Sequence, residues 1–266
     1  LRIANASKDF IEDETVNESG LGAVSDPNGH GTHVASTIAA NYNGTNHDGY
    51  APNATILALR ALDSEGSGSS ADIAAAIRYA ADHDADVVHL SLGAPTYSAA
   101  IASAVENATE QGSIVVVAAG NSRQTTRWLA TPADAPVERV VEVAATNPST
   151  HASNAAVGYF SQLGDDPGTT DLSEGRTAGQ DITVSSVGMQ LTAMTPDTGG
   201  SVSETTLTGT SMAAPTVTGG VLQALAKNPN WQDDPATVAK AVEKSAQPLP
   251  SSTPTETGHG LLRVDN

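Results

Sequence analysis

The run Ile114-Val115-Val116-Val117-Ala118 constrains this chain more than any other feature. An unbroken apolar, mostly β-branched segment has no polar face to turn toward water, so the strand it predicts is covered on both sides. Val87-Val88-His89-Leu90 and Val140-Val141-Glu142-Val143 read as further strands, and so does Ile56-Leu57-Ala58-Leu59, as a buried one. Segments of helical period lie between them. Ser70 is placed to cap a helix with Ile73, Ile77 and Ala80 on one stripe. Ser98 is placed to cap another, with Ile101, Val105 and Ala108 aligned and Gly112 closing it. Further helices are expected from His30 through Val34, Ile38 and Ala39, from near Ser211 through Val217, Val221 and Leu225, and from Pro235 to Ser245. Gly164 to Gly179 and Pro196 to Ser203 read as surface loops. Strands and helices alternating over short connections predict an α/β fold: a doubly wound, mostly parallel sheet with helices on both faces. No repeat or long linker divides the 266 residues, so a single domain over 1–266 is expected.

Charge narrows the partners. There are 30 acidic residues against 12 basic, a net charge of −18, and the lysines are only Lys8, Lys227, Lys240 and Lys244. Phosphate backbones and anionic lipid would repel such a chain, so neither nucleic acid nor a membrane is expected as a partner. Acidic excess with scarce lysine suits a protein that folds in high salt, where screening removes self-repulsion. The absence of cysteine excludes disulfides, thiolate metal sites and a cysteine nucleophile. No apolar run approaches the roughly 18 residues that span a bilayer. Leu1 to Asn5 carry no basic-then-apolar leader pattern, so no targeting peptide is expected within this sequence.

Three glycine-rich segments carry groups suited to acyl transfer. Asn28-Gly29-His30-Gly31-Thr32-His33 offers an imidazole base. Ala118-Ala119-Gly120-Asn121, leaving the most apolar strand, offers an amide donor. Gly209-Thr210-Ser211-Met212-Ala213-Ala214-Pro215 offers a hydroxyl at a helix start. There, free backbone N–H groups favour a developing anion. His30 and His33 lack an accompanying acidic ligand or a His-Glu-x-x-His pattern, which argues against a metal pair.

His-Gly-Thr-His-Val-Ala, Ala-Ala-Gly-Asn and Gly-Thr-Ser-Met-Ala-Ala-Pro, in this order and at these separations, resemble the subtilisin-like serine proteases, the subtilases. The acidic, lysine-poor composition is similar to that of the extracellular halophilic members, the halolysins. The resemblance runs from Leu1 to Gly258-His259-Gly260-Leu261-Leu262. It implies a secreted, salt-adapted serine endopeptidase, with Ser211 as nucleophile, His30 as general base, His33 as a structural second histidine and Asn121 as oxyanion donor. It places extended substrate along Ser91, Leu92 and Gly93 and beside Ser64 to Ser69. Ala118, Ala119 and Gly120 then contribute to the primary pocket, with Arg123 to Ala130 at its rim. It implies protein or peptide substrates, a monomer with a pro-region serving as chaperone and inhibitor, and no catalytic cofactor. The loop Asn41 to Gly49 falls where many relatives bind a structural calcium ion.

The sequence departs from the pattern in three places. Thr216 stands where a histidine is usual, and His89 where asparagine is usual. The family's catalytic aspartate belongs to an Asp-Thr/Ser-Gly turn ending a first strand, and no such turn precedes His30. Asp197-Thr198-Gly199 reads as an ordinary turn. The expectation is that the first strand and its aspartate lie upstream of Leu1, and that residues 1–266 alone hydrolyse peptide poorly. The rival reading is a catalytically inactive subtilisin-like domain that binds peptide without cleaving it.

Overall fold

The structure, a computed structural model, describes residues 1–12, 14–15, 25–41, 48–137, 139–149, 151–164, 181–196 and 201–262. Three short strands come first, β1 (Arg2–Ile3), β2 (Lys8–Asp9) and β3 (Glu14–Thr15), followed by helix α1 (His30–Ala39). Strands β4 (Thr55–Ile56) and β5 (Leu59–Arg60) lead to α2 (Ser70–Asp82), β6 (Val87–Leu90), α3 (Ala99–Glu110), β7 (Ile114–Ala118) and β8 (Val141–Thr146). The chain continues through β9 (Val184–Val187), the hairpin β10 (Leu191–Pro196) and β11 (Val202–Leu207), α4 (Thr210–Lys227) and α5 (Pro235–Ser245).

The central sheet is parallel throughout, in the order β6-β7-β8-β9, with Val88 opposite Val115 and Val116 opposite Val141. Alternate residues of β7 serve opposite faces. Val115 and Val117 pack with Ile73, Ile77, Ile101 and Val105 of α2 and α3. Ile114 and Val116 pack with Val217 and Val221 of α4 and Val238 and Val242 of α5. Helices therefore cover both faces, as an apolar run without alternation requires. At roughly 25 cal/mol per Å² of buried apolar surface, this double burial is the main stabilising term.

Sequence and structure differ at four points. Residues 56–59 do not form one buried strand. A turn closed by Ser7 N–H to Ala4 C=O interrupts the facing ladder, and the Ser7 hydroxyl accepts the Ala58 N–H at 2.9 Å. Two half-buried strands result, pairing with β1 and β2. The cap of α2 is Ser69, which accepts from Asp72 N at 3.1 Å and donates to Asp72 Oδ2 at 2.6 Å, rather than Ser70. Pro196, Val202 and Ser203, expected in a surface loop, belong to the antiparallel strands β10 and β11, whose Thr192–Thr206 and Thr195–Thr205 pairs bond through their hydroxyls. The hairpin escapes a reading based on apolar runs because threonine fills so much of it. No strand is expected from the sequence before residue 56, yet β1 to β3 form there. Asp197-Thr198-Gly199, and the loop expected from Gly164 to Gly179 beyond Gly164 itself, lie outside the described residues.

Candidate active site

Helix α1 begins at His30 because the residues before it are built to start a helix. Gly29 takes a left-handed conformation (φ 84°), which glycine adopts without steric cost. The Asp26 carboxylate then accepts from Gly29 N at 2.9 Å and from Thr32 N at 2.6 Å. Two of the helix's orphan N–H groups are thereby satisfied by an acid, which the helix dipole favours. Burial lowers the pKa of the half-buried His30 imidazole, and the nearby Asp26 charge opposes that shift. One turn on, His33 is fully buried and its Nε2 lies 3.1 Å from the Thr205 carbonyl of β11.

Helix α4 carries Ser211 as its second residue and packs on α1, with Met212 against Val34 and Ile38. Its proline explains a neighbouring contact. Pro215 has no N–H, so the Ser211 carbonyl four residues earlier lacks its helical donor. The Ser91 hydroxyl supplies one at 2.8 Å, and Ser211 Oγ lies 3.4 Å from the Ser91 carbonyl. Because Ser91 Oγ donates there, it accepts from Nε2 of His89 at 2.7 Å, which leaves His89 Nδ1 to accept from the Thr218 hydroxyl at 2.8 Å. Burial, and then the proximity of His30, push the His89 pKa down to about 3, so it is neutral. The histidine in place of asparagine thus braces the nucleophile segment through Ser91. Thr216, in place of the usual histidine, is buried and bonds Ser186 Oγ at 2.6 Å.

Asn121 reaches the same place from β7, after Gly120 turns the chain at φ 108°. Its Oδ1 accepts from the N–H of Thr210 at 2.8 Å and from the Thr210 hydroxyl at 3.0 Å. With the oxygen held, Nδ2 is left to donate elsewhere. A Cβ on Gly209 would stand 3.3 Å from that nitrogen, so the amide lies against the chain just before Ser211. The backbone N–H of Ser211, in the helix's first turn, has no intrahelical partner. Two donors therefore flank the serine.

A cleft opens beside them, walled by Leu92, Gly93, Ala94 and Pro95 on one side and by Ala118, Gly120, Asn121 and Ser122 on the other. Ala130, Gln162, Thr210 and Ser211 complete it. Of the residues expected at substrate, Leu92, Gly93, Ala118 and Gly120 line this cleft, and Ser91 touches Ser211 from behind. Ala119 does not line it: alternation along the strand turns its side chain into the core with Val115 and Val117. Residues 64–69 form an exposed segment tied to the α1 entry by Asn28 Nδ2 donating to the Ser64 carbonyl at 3.0 Å. Arg127 lies over the Trp128 ring, 5.0 Å from its centroid.

Three contributors escape the sequence reading. Asp26 is signalled by an acid four residues ahead of a helix start, in an Asp-Pro-Asn-Gly turn. Thr210 sits inside a motif whose serine drew the attention. Gln162 has no local signal at all. The calcium reading falls largely on residues 42–47, outside the described residues. Among the described residues no group of three or more histidine and acidic side chains is arranged to hold a metal ion.

A parallel α/β sheet that sets a helix-borne serine and a side-chain amide at one cleft, with the histidine at the head of a helix packed on the serine's own, defines a hydrolase-like architecture of the subtilisin type. The chain belongs to the Subtilase family, whose sequence profile matches residues 2–261. It is 33% identical to Subtilisin NAT of Bacillus subtilis subsp. natto over 246 residues, 90% of this chain and 55% of that protein, so it spans about half of that relative. It is 38% identical to Subtilisin Savinase of Lederbergia lenta over 208 residues, 78% of this chain and 67% of the relative. The solved structure of Sphericase superposes with a TM-score of 0.82 at 27% identity, covering 99% of this chain and 85% of that one.

Proposed function

We propose that this chain hydrolyses peptide bonds of proteins as a serine endopeptidase. The observation that carries the reading is the Asn121 amide, held by Thr210 through its oxygen so that its nitrogen lies beside the Ser211 segment. In this reading Ser211 Oγ attacks the scissile carbonyl and His30 takes the hydroxyl proton. Asn121 Nδ2 and the Ser211 N–H hold the oxyanion, and His30 then returns the proton to the leaving amine. Burial supports this role by lowering the His30 pKa, which favours its basic, neutral form. Substrate adds as an extended strand between Ser91–Gly93 and residues 64–69, with main-chain bonds supplying affinity.

Among the described residues no carboxylate hydrogen-bonds the His30 ring; Asp26 acts on it through space. The mechanism needs a carboxylate to orient the imidazole and to stabilise its charged form. In subtilisin, loss of the aspartate that does so costs about 3 × 10⁴ in turnover. Hydrolysis of an unfolded protein substrate by the full chain, abolished by Ser211→Ala, tests the reading. Failure of the Ser211→Ala change to abolish it would refute the assignment.

The finer proposals rest on composition and family likeness. A net charge of −18 with four lysines supports a salt-adapted protein of the halolysin kind. Secretion rests on the resemblance to the extracellular halolysins; as a separate fact, no described helix is long and apolar enough to cross a membrane. A single monomeric domain, a pro-region acting as chaperone and inhibitor, and a structural calcium ion near residues 41–49 complete the proposal. Salt adaptation requires the melting temperature to rise between low and multi-molar KCl as carboxylate repulsion is screened; a flat or falling curve would contradict it.

A further inference from the structure

The amide of Gln162 forms part of the buried wall of the cleft, between Gly120 and Ala130, with 1% of the residue exposed. Its orientation is fixed from one side. Nε2 donates to the carbonyl of Thr126 at 2.8 Å and to that of Trp128, so both amide hydrogens are used. Turning the amide over would set Oε1 against two carbonyl oxygens that have no hydrogen to give. Oε1 therefore faces Gly120 and Ser122. It stands 1.9 Å from where a Cβ on Gly120 would be, which reserves position 120 for glycine. The donor it meets among the described residues is the Ser122 N–H, at 3.4 Å. An amide oxygen accepts two hydrogen bonds, and one contact this long leaves it under-satisfied.

Leu92, Ala118 and Ala130 supply apolar lining beside it, Asn121, Ser122, Thr210 and Ser211 line the same cleft, and the cleft volume is about 140 Å³. A cavity of about 150 Å³ admits benzene, so an aromatic side chain fits here. A pocket that offers a buried, under-used acceptor selects by hydrogen bonding more sharply than by size. We infer that Gln162 determines the specificity of this pocket, presenting Oε1 to a substrate side chain that ends in a neutral donor. Tyrosine is then taken ahead of phenylalanine immediately before the scissile bond. A lysine ammonium gains less, because it sheds its hydration for a single neutral acceptor. The inference rests on the reading of this cleft as the peptide-cleaving site.

The test uses the full chain and two peptide substrates that differ only by tyrosine or phenylalanine before the cleaved bond. Product peptides ending in each residue are measured alongside by calorimetry. The expected result is a preference for tyrosine of about tenfold in kcat/KM and in Kd, the size of one neutral hydrogen bond. In Gln162→Met, which keeps the length and removes the acceptor, the ratio falls to near one. That change also strips the Thr126 and Trp128 carbonyls of their donor, so the wild-type ratio decides the matter if the variant does not fold. Equal treatment of the two residues by the wild type overturns the inference, as does an unchanged ratio in a folded Gln162→Met protein. A tyrosine preference in product binding without hydrolysis of either substrate would support it while refuting the catalytic reading.

Discussion

Thr210 holds Asn121 by one atom: its N–H and its hydroxyl both end on Asn121 Oδ1, at 2.8 and 3.0 Å. The same hydroxyl accepts the Gly120 N–H at 3.1 Å, so one side chain ties the nucleophile helix to the turn that carries the oxyanion donor. A donor already aimed costs no reorganisation when charge develops on the substrate. Thr210→Val keeps the N–H bond and deletes the hydroxyl. We expect kcat to fall about tenfold with KM little changed, the cost of one hydrogen bond felt mainly in the transition state. Thr210→Ser should restore most of it. A rise in KM with kcat intact would show that Thr210 serves substrate binding instead.

Asn121→Leu removes the donor itself while keeping the side chain's bulk. Removing the corresponding donor in subtilisin costs roughly 10² to 10³ in turnover, and the same range is expected here. Steady-state kinetics of the two variants should therefore rank Asn121→Leu well below Thr210→Val. The reverse order would argue against an oxyanion role for Asn121.

Asp26 caps α1 and also raises the His30 pKa against the lowering by burial. Asn caps helices about as well as Asp, so Asp26→Asn removes the charge and keeps a cap. Without that charge the imidazolium is less stable and protonation of His30 is delayed to lower pH. The acid limb of the kcat/KM profile should move down in pH. An unmoved limb, or one moved upward, would show that the two residues are not coupled.

How much of this was legible beforehand depends on the scale of the interaction. Val115 and Val117 on one face and Ile114 and Val116 on the other could be read as a doubly covered strand, because burial on both faces leaves a mark in one short run. His30, Ser211 and Asn121 could be read because each sits in a dense local motif. Ser91 donating to the carbonyl that Pro215 leaves unpaired, and Gln162 folding under Gly120, join residues far apart in sequence. Neither pairing leaves a periodicity or a spacing. The split of residues 55–60 into β4 and β5 was hidden for a similar reason: it depends on where a distant turn, Ala4 to Ser7, interrupts the partner strand.

Glu142 sits buried in β8, where Thr183 donates a hydrogen bond to its carboxyl. Burial is the main cause that raises its pKa from 4.5 to about 8; Thr183 opposes the shift, and Asp181 and Glu243 add to it. The folded state therefore holds a proton that the unfolded chain releases. Its stabilising contribution is complete below about pH 4.5 and is lost as pH rises toward 8. The slope of this single site is about 1.4 kcal/mol per pH unit at most. Glu142→Gln has no proton to lose and should gain on the wild type in melting temperature as pH rises from 5 to 8. A difference that stays constant across that range would show that Glu142 does not titrate there.

The central claim is that Ser211 and His30 act as one unit. A fluorophosphonate, which forms a covalent ester only with an activated serine hydroxyl, tests it most directly on the full chain, with the modified residue located by mass spectrometry. The account predicts modification at Ser211 and its loss in His30→Ala. Equal labelling of the His30→Ala protein, or modification at a different serine, would contradict it.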